Sequence, residues 1–566
     1  MFAKLLNTIW MWQSRSAANE FRRATGALRA TQERLLFETL RANADSVYGR
    51  KHAFERIGTL DEFQRRVPVC DYDALRPSIE AIARGAAGEL TCEPVLMLEP
   101  TGGSTSGGKL IPYTATLRRQ FQRAIGAWMY DVLSGLPAVR RGRAYWSISP
   151  AAQRPERTEG GPPIGFDDDT EYLPPWQRWA ISRLLAVPSA VGRIRDVDNF
   201  QYATLLGLLA AEDLALISVW SPTFLTSLLS RLGEWSERLS VDLRRGSVSW
   251  PSSVLTDGER AIEQAPRNWA DRRRGDRVAD VLRRVSGGSE SRAVDLTECW
   301  PSLALVSAWG DAAAADFAPA LRRWFPCAAF QPKGVLATEG VISFPLLGQV
   351  GSALAVTSHV FEFQPLGSTT EERPAWAWEL ERGATYRVLL TTGGGLYRYD
   401  LGDELEVVGF VNDCPLVRLL GRGDVGCDLV GEKLHERHVR AAIAEGCERH
   451  GLRLEFALLA PRSDSPTPGY RAWLVCSPTH GAAEKNVAES IDERLSTNTQ
   501  YKYALRLGQL SPLEVRLLNA TPEQAWRWFV DECLRRGRKL GDIKPTTLVR
   551  DASFDAAFLA ASSEET

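Results

Sequence analysis

Nine consecutive residues, Thr101-Gly102-Gly103-Ser104-Thr105-Ser106-Gly107-Gly108-Lys109, combine the residue types that bind phosphate: four glycines, four hydroxyl residues and one lysine. Glycines let backbone N–H groups curl around an anion, hydroxyls donate to its oxygens, and the lysine adds a positive charge. A Walker A loop is excluded, because Leu110 stands where that loop needs a hydroxyl for magnesium. The stretch is interpreted as an anion-binding loop, with a flexible surface loop as the alternative.

Three motifs further along the chain carry groups that complement such a loop. Thr338-Glu339 offers a phosphate donor and a carboxylate for Mg²⁺, which proteins usually hold by one or two carboxylates together with substrate phosphates. Asp403 follows a Tyr- and Gly-rich turn, where its carboxylate can accept hydrogen bonds from ribose hydroxyls. Gly421-Arg422-Gly423-Asp424 places glycines around a charged pair and is interpreted as a hinge.

The elements that must position these motifs alternate between strands and helices. Residues 94–99 are predicted to be a strand and 115–133 a helix, which places the glycine-rich loop in the strand–turn–helix context of phosphate sites. A strand over 216–220 and a helix over 221–232 continue the alternation. The pattern predicts an α/β fold in which β-sheets are flanked by helices. Residues 391–403 are expected to form a turn.

The length of 566 residues exceeds what one hydrophobic core supports. Composition shifts after Arg422, which predicts a large N-terminal domain over 1–420, a hinge over 421–425 and a smaller, mobile α+β domain over 426–566. Residues 560–566 are small and acidic and are expected to be disordered.

Composition excludes several classes of protein. A net charge of −2 gives no electrostatic basis for a nucleic-acid partner. Nine scattered cysteines argue against a disulfide framework and favour a cytoplasmic location. No apolar run is long enough to span a membrane. The apolar residues 1–15 are predicted to dock on the protein, with a weak membrane-surface anchor as the alternative. The oligomeric state stays open.

Taken in order, the four motifs resemble those of the acyl-adenylate-forming superfamily, which includes acyl-CoA synthetases, peptide-synthetase adenylation domains and luciferases. A narrower resemblance is to the Gretchen Hagen family of acyl-acid amido synthetases, in a bacterial-type form. This narrower resemblance rests on four stretches of the sequence: residues 105–109 with Pro112, Trp300-Pro301, residues 395–399 and residues 242–246. This similarity covers most of the chain and implies the acyl-adenylate-forming fold, with 1–420 as adenylation domain and 426–566 as lid.

The resemblance implies an ATP-dependent ligase with ATP and Mg²⁺ as cofactors. A small-molecule carboxylic acid reacts with ATP to give an acyl-adenylate and pyrophosphate. An amine, usually that of an amino acid, then attacks to give an amide and AMP. The alternatives are an acyl-CoA ligase on the same scaffold and a non-catalytic nucleotide-binding relative.

The resemblance also implies roles for individual residues. The residues expected to bind ATP are Ser104, Thr105, Ser106, Lys109, Thr338, Asp403 and Arg422. The expected catalytic residues are Thr338 at the α-phosphate, Glu339 as the magnesium ligand, and Lys544, which precedes Pro545 and would stabilise charge developing at the α-phosphate. The sequence departs from the family at Val335 and Leu336, where an aromatic residue usually stacks on adenine.

The acid pocket is predicted between the helix after the loop and the region of Trp220. Its candidate residues are Trp128, Met129, Tyr130, Trp220 and Thr223, with ordinary core packing as the alternative for each. An apolar, aromatic pocket fits an aromatic or alkyl acid. No Ser-His-Asp or Cys-His arrangement is present near the loop in sequence, so a covalent acyl-enzyme is not indicated.

Overall fold

Two compact units make up the chain in the computed structural model. The described residues are 2–101, 109–146, 158, 160–165, 182–253, 255–264, 271–287, 295–366, 372–423, 426–465, 467–477, 483–538, 540 and 543–564. The first unit comprises Met1–Trp220, Gly233–Trp309 and Arg322–Leu419. The second comprises Ser221–Leu232, Gly310–Leu321 and Leu420–Thr566.

Most of the α-helices bury apolar side chains, and several begin after a Ser, Thr, Asp or Asn whose side chain accepts a hydrogen bond from the first turn. In chain order they are α1 Phe2–Thr25, α2 Leu28–Ala42, α3 Val47–Lys51, α4 Leu60–Arg66, α5 Tyr72–Ala83, α6 Ala115–Gly135, α7 Val197–Ala210, α8 Pro222–Ser230, α9 Ser236–Arg245, α10 Asp257–Gln264, α11 Arg272–Gly287, α12 Ala318–Trp324, α13 Glu436–Arg449, α14 Glu484–Leu495, α15 Thr499–Arg506, α16 Pro522–Arg535 and α17 Ser553–Glu564. Short 3₁₀ turns lie at Phe54–Arg56, Val139–Arg141, Ser189–Arg193, Ala312–Phe317 and Ala377–Glu379. Ser221 caps α8 and Pro222 opens it, as the sequence predicts.

The strands are short, and those at the centre of sheets are buried. They are β1 Val95–Pro100, β2 Leu110–Thr114, β3 Arg143–Trp146, β4 Leu214–Ser218, β5 Leu305–Ala308, β6 Ala329–Pro332, β7 Leu336–Ala337, β8 Gly340–Val341, β9 Ser343–Pro345, β10 Ser352–Leu354, β11 Val360–Pro365, β12 Ala375–Trp376, β13 Thr385–Thr391, β14 Tyr399–Val411, β15 Cys414–Arg422, β16 Gly426–Cys427, β17 Leu434–His435, β18 Arg453–Pro461, β19 Tyr470–Ser477 and β20 Glu514–Leu517.

Two sheets organise the first unit. One is a parallel sheet in the order β3-β4-β5-β6. The other has seven strands in the order β12-β11-β13-β14-β15-β10-β9. Its pairs β9–β10, β10–β15, β11–β12, β11–β13 and β13–β14 are antiparallel. All five residues of β4 are buried, as expected for a parallel strand covered on both faces. The second unit has a three-stranded sheet, β18-β19-β20, and the predicted α/β class is confirmed.

The N-terminal segment docks on the protein, as predicted. Ala3 and Leu6 of α1 are buried against Leu184, and the Asn7 amide donates to the backbone oxygens of Arg140 and Gly142. These two hydrogen bonds satisfy a buried polar side chain and fix the register of the helix on the first unit.

The glycine-rich loop connects two strands rather than a strand and a helix, so the sequence prediction was wrong here. Val95–Pro100 pairs antiparallel with Leu110–Thr114, and α6 begins only after that second strand. The sequence reasoning missed β2 because its five residues include Pro112, which counts against a strand; here Pro112 lies in a two-stranded ribbon that leaves one edge unpaired. The N-terminus of α6 is therefore five residues away from the loop.

The C-terminal tail is helical instead of disordered. Residues 560–564 belong to α17, and Phe558 of that helix stacks on Phe456 at 5.9 Å between ring centroids. Asp555 is fully buried and accepts from the Arg471 guanidinium at 2.8 and 2.9 Å and from the Trp473 indole N–H at 3.0 Å. The prediction was based on the small, acidic residues at the end of the helix, whereas the buried residues that hold it, Phe554, Asp555 and Phe558, precede them.

Replacing Asp555 by Asn is expected to loosen α17. The change removes the buried member of the three carboxylates that pair with Arg471, while Asp464 and Glu514 remain. The cost should therefore be below the about 3–5 kcal/mol typical of a fully broken buried pair. Hydrogen exchange of the α17 amides should accelerate by roughly 10- to 100-fold. As the control, Asp551→Asn breaks a half-exposed pair with Arg536 and should change exchange little. Equal protection in Asp555→Asn and the wild-type protein would mean that this helix is not held by the buried pair.

Candidate functional site

The base of the glycine-rich loop is closed by a hydrogen bond in which the Thr101 N–H donates to the Lys109 carbonyl at 2.8 Å. Beside it, the Leu110 N–H donates to the Tyr72 hydroxyl at 3.0 Å, and the Lys109 ammonium lies 5.6 Å from the centre of the Tyr72 ring. Ser104, Thr105 and Ser106 lie outside the described residues. The described part thus positions Lys109 at the foot of the loop.

Thr338 and Glu339 form the two-residue connection between β7 and β8. The Tyr113 hydroxyl on β2 donates to the Thr338 carbonyl at 2.9 Å, which brings this turn against the strand that leaves the loop. Thr338 is half-buried and Glu339 is buried. Two of the motifs found in the sequence are therefore neighbours in space.

The strand after Glu339 is held by a buried imidazole. The Val341 N–H donates to Nε2 of His359 at 3.1 Å, and a Cβ on Gly340 would lie 2.9 Å from that nitrogen. Burial lowers the pKa of His359 to about 3, so the ring is neutral and Nε2 can accept. Glycine at position 340 is required by this close approach, which fixes the turn that carries Glu339.

A glycine turn links the start of α6 to the strand that carries Asp403. The Thr114 hydroxyl donates to the Gly393 carbonyl at 2.9 Å, and the Gly393 N–H donates to the Gln120 side-chain oxygen at 2.9 Å. A Cβ at Gly394 would lie 2.8 Å from the Pro112 carbonyl, so the turn needs glycine to pack on β2.

Asp403 lies inside β14, which corrects the prediction that residues 391–403 form a single turn. The strand already begins at Tyr399, and the buried side chains alternate along it. Gly402 was interpreted from the sequence as part of a turn. In the structure it has a φ of 80° and lies where the pairing with β13 is irregular, so it marks a bulge within the strand. Asp403 is 8% exposed.

Arg398, the basic residue of the same motif, is a structural residue. Its guanidinium is buried and contacts both carboxylate oxygens of Glu362 at 2.9–3.2 Å. It also donates to the backbone oxygens of Gln64 and Val67 at 2.7 Å. All its donor groups face the protein interior, so this arginine stabilises the turn before β14.

The second unit carries Arg422 and Lys544. Arg422 is the last residue of β15 and is half-buried, whereas Asp424 lies outside the described residues. Lys544 is exposed between buried Ile543 and buried Pro545. Just beyond, the Thr547 N–H and the Thr546 hydroxyl both donate to Glu436 at 2.6 Å. The segment that presents the Lys544 ammonium is therefore anchored on both sides.

The five residues predicted to line the acid pocket do not all lie in the same unit of the structure. Trp128 is buried on α6 and Trp220 follows β4, and both rings lie around one lysine, Lys333, within the first unit. Met129 lies in the main hydrophobic core, and Tyr130 is half-buried. Thr223 belongs to the second unit, where its hydroxyl lies 2.5 Å from that of Ser221.

Lys333 was not among the site residues predicted from the sequence. Its ammonium donates to the Ser218 hydroxyl at 2.9 Å and lies 4.4 Å from the centre of the Trp220 ring. The signal in the sequence was a lone lysine after an apolar strand, between Pro332 and Gly334, with no acidic residue until Glu339.

Val335, where the family pattern has an aromatic residue, belongs to the hydrophobic core. Its side chain is 8% exposed, and its N–H donates to the Ser343 hydroxyl at 3.0 Å. Tyr113, hydrogen-bonded to the Thr338 backbone, supplies a half-buried aromatic ring beside the same turn.

The donor set fits one magnesium ion held mainly by a nucleotide. Within the described ranges, no group of three or more His, Cys, Asp and Glu side chains forms a closed metal site. Mg²⁺ bound to phosphates needs only one or two protein carboxylates, and Glu339 offers one in a rigid turn. None of the described helices has the length and apolar character needed to cross a membrane.

Known proteins of one family resemble the chain along nearly its whole length. Probable indole-3-acetic acid-amido synthetase GH3.4 of Oryza sativa subsp. japonica is 24% identical over 584 residues, covering 95% of this chain and 89% of the relative. Indole-3-acetic acid-amido synthetase GH3.3 of Arabidopsis thaliana is 22% identical and covers 91% of this chain and 88% of its own. The solved structure of AtGH3.15 acyl acid amido synthetase in complex with 2,4-DB shares the fold, with a TM-score of 0.80, 19% identity, and coverage of 97% and 96%.

Family models match three successive parts of the sequence. The GH3 family N-terminal domain matches residues 17–329, the central domain residues 352–422 and the C-terminal domain residues 437–553. These matches cover most of the chain and include both the loop base and the strand of Asp403. With three domain models in order and relatives aligned end to end, the chain belongs to the GH3 family.

Proposed function

We infer that the protein is an ATP-dependent ligase that joins a carboxylic acid to the amine of an amino acid through an acyl-adenylate. The observation that carries this is the contact between Tyr113 and Thr338. The Thr338-Glu339 turn thereby lies against the strand that leaves the glycine-rich loop, in a chain of the GH3 family. The two plant relatives named above are indole-3-acetic acid-amido synthetases, one of them a probable one, which agrees with this activity.

In the first half-reaction, a carboxylate oxygen attacks the α-phosphorus of ATP and pyrophosphate leaves. Ser104, Thr105, Ser106 and Lys109 hold the departing phosphates, and the Thr338 hydroxyl donates to the α-phosphate. Glu339 holds Mg²⁺, which neutralises phosphate charge when it is bound. Asp403 holds the ribose, and Arg422 contacts the ribose or a phosphate.

In the second half-reaction, the amine attacks the acyl carbon, the C–N bond forms, a proton is lost and AMP leaves. Lys544 stabilises charge at the α-phosphate, and its exposure on an anchored segment suits a group delivered by a mobile domain. In this proposal residues 421–425 act as the hinge and 426–566 as the lid. All nine cysteines are free thiols, which favours a reducing, cytoplasmic location.

Acid-dependent exchange of labelled pyrophosphate into ATP tests the first half-reaction. A panel of aromatic and alkyl acids should reveal at least one that supports exchange, and product analysis with amino acids should then show an amide and AMP. A thioester formed with CoA, without any amide, would contradict the amide-synthetase activity. Exchange with no acid would instead favour a non-catalytic relative.

A further inference from the structure

A row of polar side chains crosses the parallel sheet at the carboxyl ends of its strands. Ser218 of β4 pairs with Ser307 of β5, and Ser307 pairs with Gln331 of β6. Paired residues of neighbouring strands share one face of a sheet, so the three side chains lie side by side. Trp128 covers this face, because its indole N–H donates to the Gln331 oxygen at 3.1 Å. Crevices at this edge of open α/β sheets are the usual place for ligands.

Lys333 lies above this row in a cage of three indole rings. The centres of the Trp220, Trp128 and Trp146 rings are 4.4, 5.7 and 5.9 Å from its ammonium nitrogen. Cation–π contacts of this kind replace part of the hydration that the ammonium loses on burial. The Ser218 hydroxyl supplies one acceptor at 2.9 Å.

The cage gives the ammonium no counter-ion. Among the described residues, no carboxylate lies within ion-pair distance of Lys333, although the side chain is buried. A buried cation is usually paired, because the cost of removing its charge from water is high. In addition, two buried polar atoms of the row, the Ser307 hydroxyl and the Gln331 amide nitrogen, have no hydrogen-bond partner in the described part of the chain. The site therefore offers one positive charge and two further polar groups to a ligand.

From this arrangement we propose that Lys333 binds a second anionic group of the acid substrate, so that the preferred acids are flat or apolar diacids. The proposal rests on the proposed function and names its substrate class. The indoles accept the apolar body of the acid, the ammonium pairs with the far anion, and the Gln331 amide and Ser307 hydroxyl complete the hydrogen bonds.

The reacting carboxylate is a poorer partner for this ammonium. It must approach the α-phosphate beside the turn of Thr338 and Glu339, which follows the β6 edge by several residues and belongs to a separate two-stranded ribbon. A carboxylate paired with the buried Lys333 ammonium would be a weaker nucleophile, because the ion pair stabilises its charge.

Binding of an anion changes the protonation of Lys333. Burial lowers the pKa of Lys333 to about 7, so much of it is neutral at pH 8. On the elements that supply its surroundings, Asp131 of α6 accepts from the Leu347 N–H, Arg143 of β3 pairs with Asp213, and Tyr145 lies on the opposite face of the sheet. Strands β4, β5 and β6 carry no charged side chain. An arriving anion raises the pKa of Lys333, so binding of the diacid takes up a proton at pH 8.

Isothermal titration calorimetry of the full chain tests the proposal without requiring catalysis. The probes are benzoate against phthalate, isophthalate and terephthalate, and straight-chain monoacids against diacids of matched length. The wild-type protein should bind at least one diacid roughly 10- to 100-fold more tightly than its monoacid, as expected for a charge-assisted hydrogen bond in a buried site. Titrations at pH 8 in two buffers of different ionisation enthalpy should show proton uptake for that diacid.

The variant Lys333→Met replaces the lysine by an uncharged, unbranched side chain of similar length. It should lose both the preference for the diacid and the proton uptake. Lys485→Met, which changes a surface lysine 86% exposed in its side chain, is the control and should retain both. Ser218→Ala should reduce the preference less than Lys333→Met does.

Three outcomes would overturn the proposal: no diacid preferred by the wild-type protein, a preference that persists in Lys333→Met, or equal weakening of monoacids and diacids in that variant. Equal weakening of monoacids and diacids would show that Lys333 binds the reacting carboxylate instead. Diacid binding without pyrophosphate exchange would leave this inference intact and contradict the proposed function. Exchange that is equally fast with monoacids and diacids, and unchanged in Lys333→Met, would support the proposed function and contradict this inference.

Discussion

Glu339→Gln is expected to lower acid-dependent pyrophosphate exchange by roughly 100- to 1,000-fold, the range found when one preorganised charge-stabilising group is removed. The amide has nearly the shape of the carboxylate but lacks its charge, so Mg²⁺ loses a protein ligand while the turn between β7 and β8 stays intact. Exchange rates measured over a range of Mg²⁺ concentrations should show that the variant also needs more metal.

The matched control for this change is Glu406→Gln. Glu406 lies on β14, is partly exposed and is 3.7 Å from Arg418, so its neutral form should exchange at the wild-type rate. Urea unfolding should give similar stabilities for both variants. If Glu339→Gln exchanges as fast as the control, Glu339 is not the magnesium ligand and the alignment of the motifs is wrong.

The second large effect is expected on stability, from Arg398→Ala. The change leaves the buried Glu362 carboxylate without its guanidinium and removes the donors to the Gln64 and Val67 carbonyls. Breaking a buried ion pair by removing one partner typically costs about 3–5 kcal/mol. The free energy of unfolding, measured by urea denaturation, should fall by that amount.

Arg373→Ala provides the comparison, because its pair with Glu379 is exposed, with 52% and 34% of the two side chains accessible. An exposed pair contributes about 0–1 kcal/mol, so this variant should unfold near the wild-type urea concentration. Similar losses in the two arginine variants would show that burial of the Arg398 pair does not determine its contribution.

The sequence was sufficient for the order of strands and helices and for the family. Helix α13, for example, has a clear apolar period and was predicted within one residue at each end. Local patterns failed at β2, at the start of β14 and at α17. In each case tertiary packing outweighs the local signal. Pro112 is accommodated at a ribbon edge, Gly402 marks a bulge inside a strand, and α17 is held by Phe554, Asp555 and Phe558, which are buried and precede its small, acidic end.

For the candidate site, the motifs predicted which residues matter but not how they meet. That Tyr113 joins the loop strand to Thr338 depends on a contact between residues 225 positions apart. Lys333 could not be recognised from its neighbours in sequence, because its surroundings come from α6, β3 and β4. Such contacts follow from topology, which a residue pattern does not specify.

The buried pair of Arg471 and Asp555 also bears on how the protein is made. The two partners are separated by 84 positions, so strand β19 is synthesised well before α17. Two other carboxylates that pair with Arg471, Asp464 and Glu514, are synthesised earlier than Asp555. The core of the second unit is complete only once α17 has been made, because Trp473 and Phe456 pack against Phe558 of that helix. Until then these two rings lack the cover of α17, and a chaperone would find them exposed.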